Sequence, residues 1–526
     1  MAPSSYDGHL GNSEGAQYLV RLSHSHETFR KPELESIASL LNISLSISDY
    51  RPTSPFCTIR FNSKSETDGQ SRQQQDDIAR KFVSNSILSK SIYELYATGT
   101  TYDELHRNVR NLPGSTWTRY KDVSFKFSID AFCGSRSMDQ QREIVEGFSY
   151  LPLEGRIKLK NPEEEFMVFE EWELLTPEEH SALNSGAEPQ QCNRATTDET
   201  NGSTTTSLAS LPSRKPRRLF FGRHIADSRR DLIIKHNLKK RPYISTTSMD
   251  AELALVTASL AKARAGALFL DPFTGTGGFM VAAAELGGIV LGADIDGRSF
   301  RGKGKGLEKG VGANFKRYGL EGVFGDCVSA DLTNSPFRLP GKPAEKSARW
   351  LDGIICDPPY GVREGLKVLG RRAHDSNGTN GRTIHDGPYF VDGVPSHTLP
   401  GFIAPKRPYS FNRMLSDIMD FAARSLVNGG RLAFWMPCAN DADEDFPVPW
   451  HGMLELRHSC IQVFNKWSRR LLVYERFGGD VAEKFEDGEQ GPSLKTTAGH
   501  KADELNQFRR MYFRGFAGET PKNDHG

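Results

Sequence analysis

LFLDPFTGTGGFM, residues 268–280, decides how the second half of the chain is read. An apolar run ends in Asp271, a glycine-rich turn follows, and GFMVAAAELG continues as a helix. Glycine permits dihedrals closed to other residues and lets a ligand approach the backbone closely. The same strand–turn–helix unit recurs on both sides. Helix AELALVTASLAKAR leads into it. Strand IVLGAD follows, then a helix through 298–318, strand GVFGDCVSAD and strand WLDGIICD. After a polar insert come helix SFNRMLSDIMDFAARSLV, closed by Gly429–Gly430, and strand RLAFWMP. LELRHSCIQVFNKW and RRLLVYERF read as a final strand pair. Repeats of this length predict a mostly parallel sheet with helices on both faces. Such sheets bind ligands at the carboxyl ends of their strands.

The residues at those ends carry the chemistry. Asp271 stands at one tip and Asp294 at the next, placed to hydrogen-bond ribose hydroxyls. The turn T-G-T-G-G-F departs from the dinucleotide fingerprint G-x-G-x-x-G, and Asp271 would repel a pyrophosphate at the helix N-terminus. An acidic tip suits a cationic ligand, such as the ammonium and sulfonium of S-adenosylmethionine. At the fourth strand's end stands Asp357-Pro358-Pro359-Tyr360. An exocyclic amino group on a base has its lone pair delocalised into the ring, so acceptors must hold its N–H hydrogens while the nitrogen rehybridises. The Asp357 carboxylate and the Pro358 carbonyl supply acceptors, the two prolines supply stiffness, and Tyr360 supplies a ring to stack on the base. A turn without a ligand is the plainer reading of either motif alone; the two at adjacent strand ends argue for a site.

The chain has 526 residues, of which 37% are hydrophobic, enough for two to four domains with sizeable cores. No apolar run approaches the ~20 residues of a membrane span, and MAPSSYDGHL lacks a secretory signal's regions. The seven cysteines are scattered, with no C-x-x-C pair, which argues for a reducing compartment and against an in-chain zinc site. The net charge of +1 excludes little, because charge is unevenly spread. Before residue 181, short strands (QYLVRLSH, CTIRFNS, SFKFSIDAF, EEEFMVFEEWEL) mix with helices (KPELESIASLLN introduced by Pro32, DDIARKFVSNSI, TTYDELHRNVRNL). This predicts an α+β region over 1–180. Residues 181–213 are rich in Ser, Thr, Asn and Gly and read as a disordered linker. A Rossmann-like domain is expected over 214–480, with a polar insert at 364–400, and a tail with a short helix over 481–526. The segment 214–241 holds eleven Lys or Arg and two Asp. That local excess of nine positive charges, ending in Lys239, Lys240 and Arg241, reads as a phosphate-facing surface or as an ordinary solvated one.

DPFTGTGG with DPPYG resembles the Rossmann-like S-adenosylmethionine-dependent amino methyltransferases. Four longer stretches narrow the resemblance: SIYELYATGTTYDELHRNVR (91–110), DSRRDLIIKHNLKKRPYISTTSMDAELALV (227–256), DPPYGVREG (357–365) and QFRRMYFRGF (507–516). They resemble the catalytic subunits of eukaryotic tRNA guanosine N2-methyltransferases that modify position ten. The resemblance implies a THUMP-containing region that grips tRNA, followed by a methyltransferase domain. It implies that Asp271, Thr274, Gly275 and Gly277 line the cofactor site and that Asp294 holds the ribose. It further implies that an aspartate after the third strand contacts adenine, with Asp331 preferred to Asp326. Ser245 to Ser248 precede a helix that they could cap, and the segment, with Thr247, approaches the methionine part of the cofactor. Asp357 to Tyr360 become the catalytic motif, and Arg363 is either a phosphate or base contact or a surface salt bridge. A small zinc-binding activator subunit is the implied partner, docked on a sheet edge, and the cytoplasm the implied location. The rivals are an amino methyltransferase of another RNA or DNA base, and a non-catalytic RNA-binding scaffold.

Overall fold

The computed structural model describes residues 16–62, 71–173, 215–337, 339, 349–362, 366–369, 390–399, 402, 405–438, 448–464, 467–478 and 506. The 181–213 linker, most of the 364–400 insert and the tail, Asn506 excepted, lie outside the described residues. The chain forms two compact units, Met1–Glu27 with Leu41–Arg229, and Thr28–Leu40 with Arg230–Gly526.

The first unit is built on β1 (Gln17–Leu22), β2 (Ser44–Tyr50), β3 (Phe56–Asn62), β4 (Ser89–Gly99), β5 (Phe125–Phe132), β6 (Glu164–Trp172) and β7 (Pro216–Asp227). Its order is β2-β3-β1-β4-β7-β6-β5, and only β5 and β6 run parallel. The strand β7 corrects the expected start of the methyltransferase domain at 214. It pairs with β4 on one side and β6 on the other, and Leu219, Phe220 and Phe221 are buried in this unit's core. The strand therefore completes the first sheet although it follows the linker.

The same strand changes the meaning of the basic run. Arg223 is 4% exposed and pairs with Asp76, Glu94 and Glu164, while Arg218 pairs with Asp49 and Glu171. These cations neutralise buried carboxylates and are not spare charge for phosphate. Glu94, fully buried, collects Arg72, Arg119 and Arg223 together with the Tyr96 and Tyr120 hydroxyls. Burial would raise its carboxyl, but the three guanidiniums overcome that and hold it below the ordinary value.

Helix α1 (Glu27–Leu41) begins before Pro32, which lies inside it. Proline forgoes one backbone hydrogen bond there, and burial of Phe29, Leu34 and Ile37 holds the helix nonetheless. Its residues Thr28–Leu40 group with the second unit. The Phe29 ring lies 5.8 Å from Trp435, and the Arg431 guanidinium donates to Ser36 Oγ and to the Leu260 carbonyl.

The second unit carries β8 (Leu268–Asp271), β9 (Ile289–Asp294), β10 (Phe324–Ser329), β11 (Leu351–Cys356), the short β12 (Lys367–Leu369), β13 (Phe390–Val391), β14 (Val394–Pro395) and β15 (Lys406–Pro408), and then β16 (Leu426–Cys438), β17 (Leu454–Val463) and β18 (Ser468–Arg476). The main sheet runs β10-β9-β8-β11-β16-β18-β17, parallel as far as β16 and antiparallel beyond. The expected final strand pair is β17 and β18. The continuous helix expected over 298–318 is absent. A short helix, Gly297–Phe300, is followed by a loop with positive φ at Gly302, Gly304 and Gly306, and Val311–Tyr318 resumes the helix. The glycines, with dihedrals closed to a helix, break it at these positions.

Removing a buried cation while its carboxylates stay behind costs about 3–5 kcal/mol. Arg223→Ala is therefore expected to lower the stability of the first unit by that order in urea titrations. Arg142→Ala, at an ion pair with partners 80% and 65% exposed, should leave the curve unchanged. Equal, small effects would contradict the network's role.

Candidate functional site

Parallel pairing sets the site. Asp271 lies opposite Gly292, Asp294 opposite Ser329, and Cys356, the residue before Asp357, opposite Phe434. The carboxyl ends of β8, β9, β10 and β11 thus converge on one end of the sheet.

At β8 the chain turns through Asp271, whose carboxylate accepts from Phe273 N–H at 3.0 Å while Thr274 Oγ1 donates to the Asp271 carbonyl at 3.0 Å. Gly275 and Gly277 both have positive φ, and the helix Gly278–Glu285 begins without a side-chain cap. The Asp294 carboxylate accepts from Gly275 N–H at 2.9 Å and Asp296 N–H at 2.8 Å. With four lone pairs on its two oxygens, the carboxylate keeps capacity for a further donor. Thr274 and Asp271 are buried. A small cavity lies beside these tips, lined by Leu270, Pro272, Ala293, Ala330, Asp331 and Phe337 among others.

Of the two acidic candidates after the third strand, Asp331 borders that cavity and Asp326 is exposed with φ of 109°. Asp331 accepts from Thr333 N–H and hydroxyl and from Leu369 N–H, which ties the β12 ribbon to the site.

The segment 241–250 runs against the glycine turn. The Asn314 amide accepts from Tyr243 N–H at 2.9 Å and donates to the carbonyls of Tyr243 and Thr276. Ser248 Oγ lies 2.9 Å from Thr276 Oγ1. The four hydroxyl residues do not cap the next helix; Asp250 does, accepting from Leu253 N–H at 3.0 Å. Ser245, Thr247 and Ser248 bond one another instead, and Thr247 stays exposed. The triplet read as one phosphate-facing group is divided. Lys239 and Lys240 are exposed, whereas Arg241 is 5% exposed. The burial of Arg241 argues against the phosphate contact expected of it. Arg363 lies outside the described residues.

At β11 the motif is compact. Pro358 is buried, Pro359 exposed, Asp357 and Tyr360 half-buried. Tyr360 donates its hydroxyl hydrogen to Asp357 Oδ1 at 2.6 Å, so one carboxylate oxygen is held and the other remains to accept. Burial pushes the Asp357 carboxyl from 3.8 up to about 6, against the lowering pull of the Tyr360 hydrogen bond and the Arg469 charge. Burial likewise raises Asp271 and Asp294. Three desolvated carboxylates therefore share one end of the sheet.

Several neighbours of the motif were not legible beforehand. Asn506 is 3% exposed and donates to the Tyr360 carbonyl at 2.7 Å, next to Gly361, whose φ is positive. Trp467 meets the Tyr360 ring edge-on at 6.2 Å and stacks on Phe464 at 4.7 Å. Arg469 lies over Trp435, 4.6 Å from its centroid. Contacts made across the sheet end leave no spacing in sequence.

Among known families, residues 16–191 match the one described as Tmrp11 THUMP N-terminal domain, and 239–321 match RMKL-like, methyltransferase domain. The tRNA (guanine(10)-N(2))-methyltransferase of Saccharomyces cerevisiae is 36% identical over 503 residues, covering 95% of this chain and 99% of the relative. The Homo sapiens tRNA (guanine(10)-N(2))-methyltransferase TRMT11 is 29% identical over 97% of each chain. Among solved structures, TrmN from Thermus thermophilus overlaps loosely, with a TM-score of 0.35 and 16% identity over 88% of this chain and 100% of that one.

The raised Asp357 value carries a sign. Its proton favours the folded state, so this group's stabilising share is full below 3.8 and is lost as pH rises through about 6. Asp357→Asn keeps an acceptor for Tyr360 without the ionisation. Its melting temperature should exceed the wild type's above pH 6.5, with the gap closing toward pH 4. A gap that widens on acidification would contradict the raised value.

Proposed function

The chain belongs to the tRNA (guanine(10)-N(2))-methyltransferase family, and on that premise we propose how its residues carry out methyl transfer to N2 of guanosine ten. Like its family, it is a tRNA guanine-N2 methyltransferase, with a THUMP region preceding the methyltransferase domain. The observation that carries the reading is the pairing of the Asp357 tip with the Asp271 and Asp294 tips at one end of the sheet.

S-adenosylmethionine fits the residues present. The Asp294 carboxylate keeps acceptor capacity for ribose hydroxyls, the small cavity by Asp331 is lined mostly by apolar residues on the side where an adenine ring would lie, and the positive-φ glycines let a ligand lie against the backbone. Thr274, Gly275 and Gly277 would hold it against the turn, with Asp271 and Thr247 toward its methionine end. When bound, it supplies an electrophilic methyl group on a sulfonium.

The protein's own part is acceptor placement. Asp357 presents its free oxygen to one N2 hydrogen, and the Pro358 carbonyl, fixed by two proline rings, takes the other. Holding both hydrogens draws the N2 lone pair out of conjugation with the ring. Asp357, with a value of about 6, is ionised at neutral pH and can take the proton N2 sheds once methylated. Tyr360, pinned at its hydroxyl by Asp357 and at its carbonyl by Asn506, fixes the tip and offers its ring to the base. Lys239 and Lys240, exposed beside the site segment, suit tRNA phosphates; Arg363 is assigned the same role on sequence alone.

A zinc-binding activator subunit completes the enzyme, and the edge left open favours β10 as its seat. The β17 edge is already blunted: the Thr28 hydroxyl donates to the Ile461 carbonyl at 2.8 Å and accepts from Ile461 N–H at 3.1 Å. The β10 edge exposes Gly325, Asp326 and Ser329, a place for strand addition. The scattered cysteines, six of them free among the described residues, suit a cytoplasmic setting.

With activator and unmodified tRNA transcript, labelled S-adenosylmethionine should yield N2-methylguanosine, and Asp357→Ala should lower the rate by about 10²-fold or more. Another methylated nucleoside, or an unimpaired mutant, would sink the assignment. Adding the activator should slow hydrogen exchange at Phe324–Ser329; protection confined to Leu454–Val463 would place it on the other edge.

A further inference from the structure

Arg241 is a buried cation with no carboxylate among the described residues to neutralise it. It is 5% exposed, its Nε and Nη1 make no hydrogen bond, and no carboxylate among the described residues pairs with it. Burial depresses its pKa, offset in part by the neighbouring Tyr318 hydroxyl. The contrast with Arg218 and Arg223 is direct, since each of those meets two or more carboxylates. An unpaired buried guanidinium is costly, and an anionic ligand would offset that cost.

Its position says which ligand. A Cβ added to Gly278 would stand 3.3 Å from Arg241 Nη1, so the guanidinium lies against the first residue of the helix Gly278–Glu285. That helix has no side-chain cap, and Gly277 before it has φ of +74°. Its N-terminal N–H groups and the dipole favour an anion at the same spot. Asn314 locks the Arg241 segment to this turn through Tyr243 and Thr276. Asp271 stands at the turn's other end. A cation and an anion flanking one glycine turn match a zwitterion, with its ammonium toward Asp271 and its carboxylate toward Arg241.

We propose that Arg241 and the N-terminus of the helix Gly278–Glu285 form a subsite for the α-carboxylate of S-adenosylmethionine, which makes Arg241 a cofactor-binding residue and not a tRNA contact. The inference rests on the cofactor reading above. Burial favours a small ligand over a tRNA phosphate as the anion: Arg241 is 5% exposed, whereas its neighbours Lys239 and Lys240 are exposed.

The test is titration calorimetry on the full chain with its activator. Three compounds serve: S-adenosylhomocysteine, its decarboxylated analogue, and 5′-methylthioadenosine, which lacks the whole amino-acid arm. Wild-type protein should bind the decarboxylated analogue about tenfold or more weakly than S-adenosylhomocysteine. Arg241→Gln should weaken S-adenosylhomocysteine by a similar factor and leave methylthioadenosine within about twofold, with Arg241→Lys recovering part of the loss. Equal binding of the carboxylated and decarboxylated compounds by wild type overturns the subsite, and that arm needs no mutant to fold. Parallel losses for all compounds in Arg241→Gln would make Arg241 a support of the turn only, which also overturns it. Wild-type protein that binds none of the three overturns the cofactor reading itself, and the subsite with it.

Discussion

Carboxylates held out of water at the carboxyl end of a parallel sheet are the constraint on which the second unit depends. Asp271, Asp294 and Asp357 end three of its strands, and burial raises all three. Burial limits their solvation, so the backbone does part of that work. Phe273, Gly275 and Asp296 donate N–H groups to the first two, and the Tyr360 hydroxyl holds the third. The chain pays for this arrangement in stability at neutral pH. What it gains is a set of acceptors already oriented, with little reorganisation left for the moment of reaction.

The two units treat buried charge differently. In the first, Glu94 and Asp76 are closed by arginines from a helix, a loop and β7, a network that ties the strand after the linker into its sheet. In the second, charge near the turn is left open. Among the described residues Arg241 pairs with no carboxylate, and Asp357 keeps an oxygen to accept. A closed network stabilises a fold; open groups of both signs around one glycine turn are what a charged ligand requires. The eleven basic residues of 214–241 thus serve several ends, including internal neutralisation at Arg218 and Arg223, exposure at Lys239 and Lys240, and the buried position of Arg241.

How much of this was legible follows from what each residue's neighbours in sequence reveal. Asp271, Asp294 and Asp357 each follow an apolar run, so their place at strand ends could be read directly, as could the mostly parallel sheet and its final strand pair. The family stretches then named the enzyme class. The fate of a basic side chain could not be read, because a count of charges cannot tell an arginine facing water from one facing Glu94 across the sheet. Nor did β7 declare its sheet, since pairing between distant strands has no local signature. The glycines at 302, 304 and 306 were read through as helix when they end it. Ser245 to Ser248 had the right types to cap a helix, but Asp250 stands nearer to it and takes the role. Asn506, from a distant tail, reaches Tyr360 without any sequence pattern to announce it.

The central claim is that Asp357, desolvated and raised, is the working acceptor for the guanosine amino group. The direct measurement is the single-turnover rate of methyl transfer to tRNA, with cofactor and activator saturating, followed from pH 5 to 8. The account predicts a rate that rises with pH and levels off above an apparent pKa close to 6. A rate that stays level across this range, with folding and binding intact, would mean that the Asp357 carboxylate is not the acceptor.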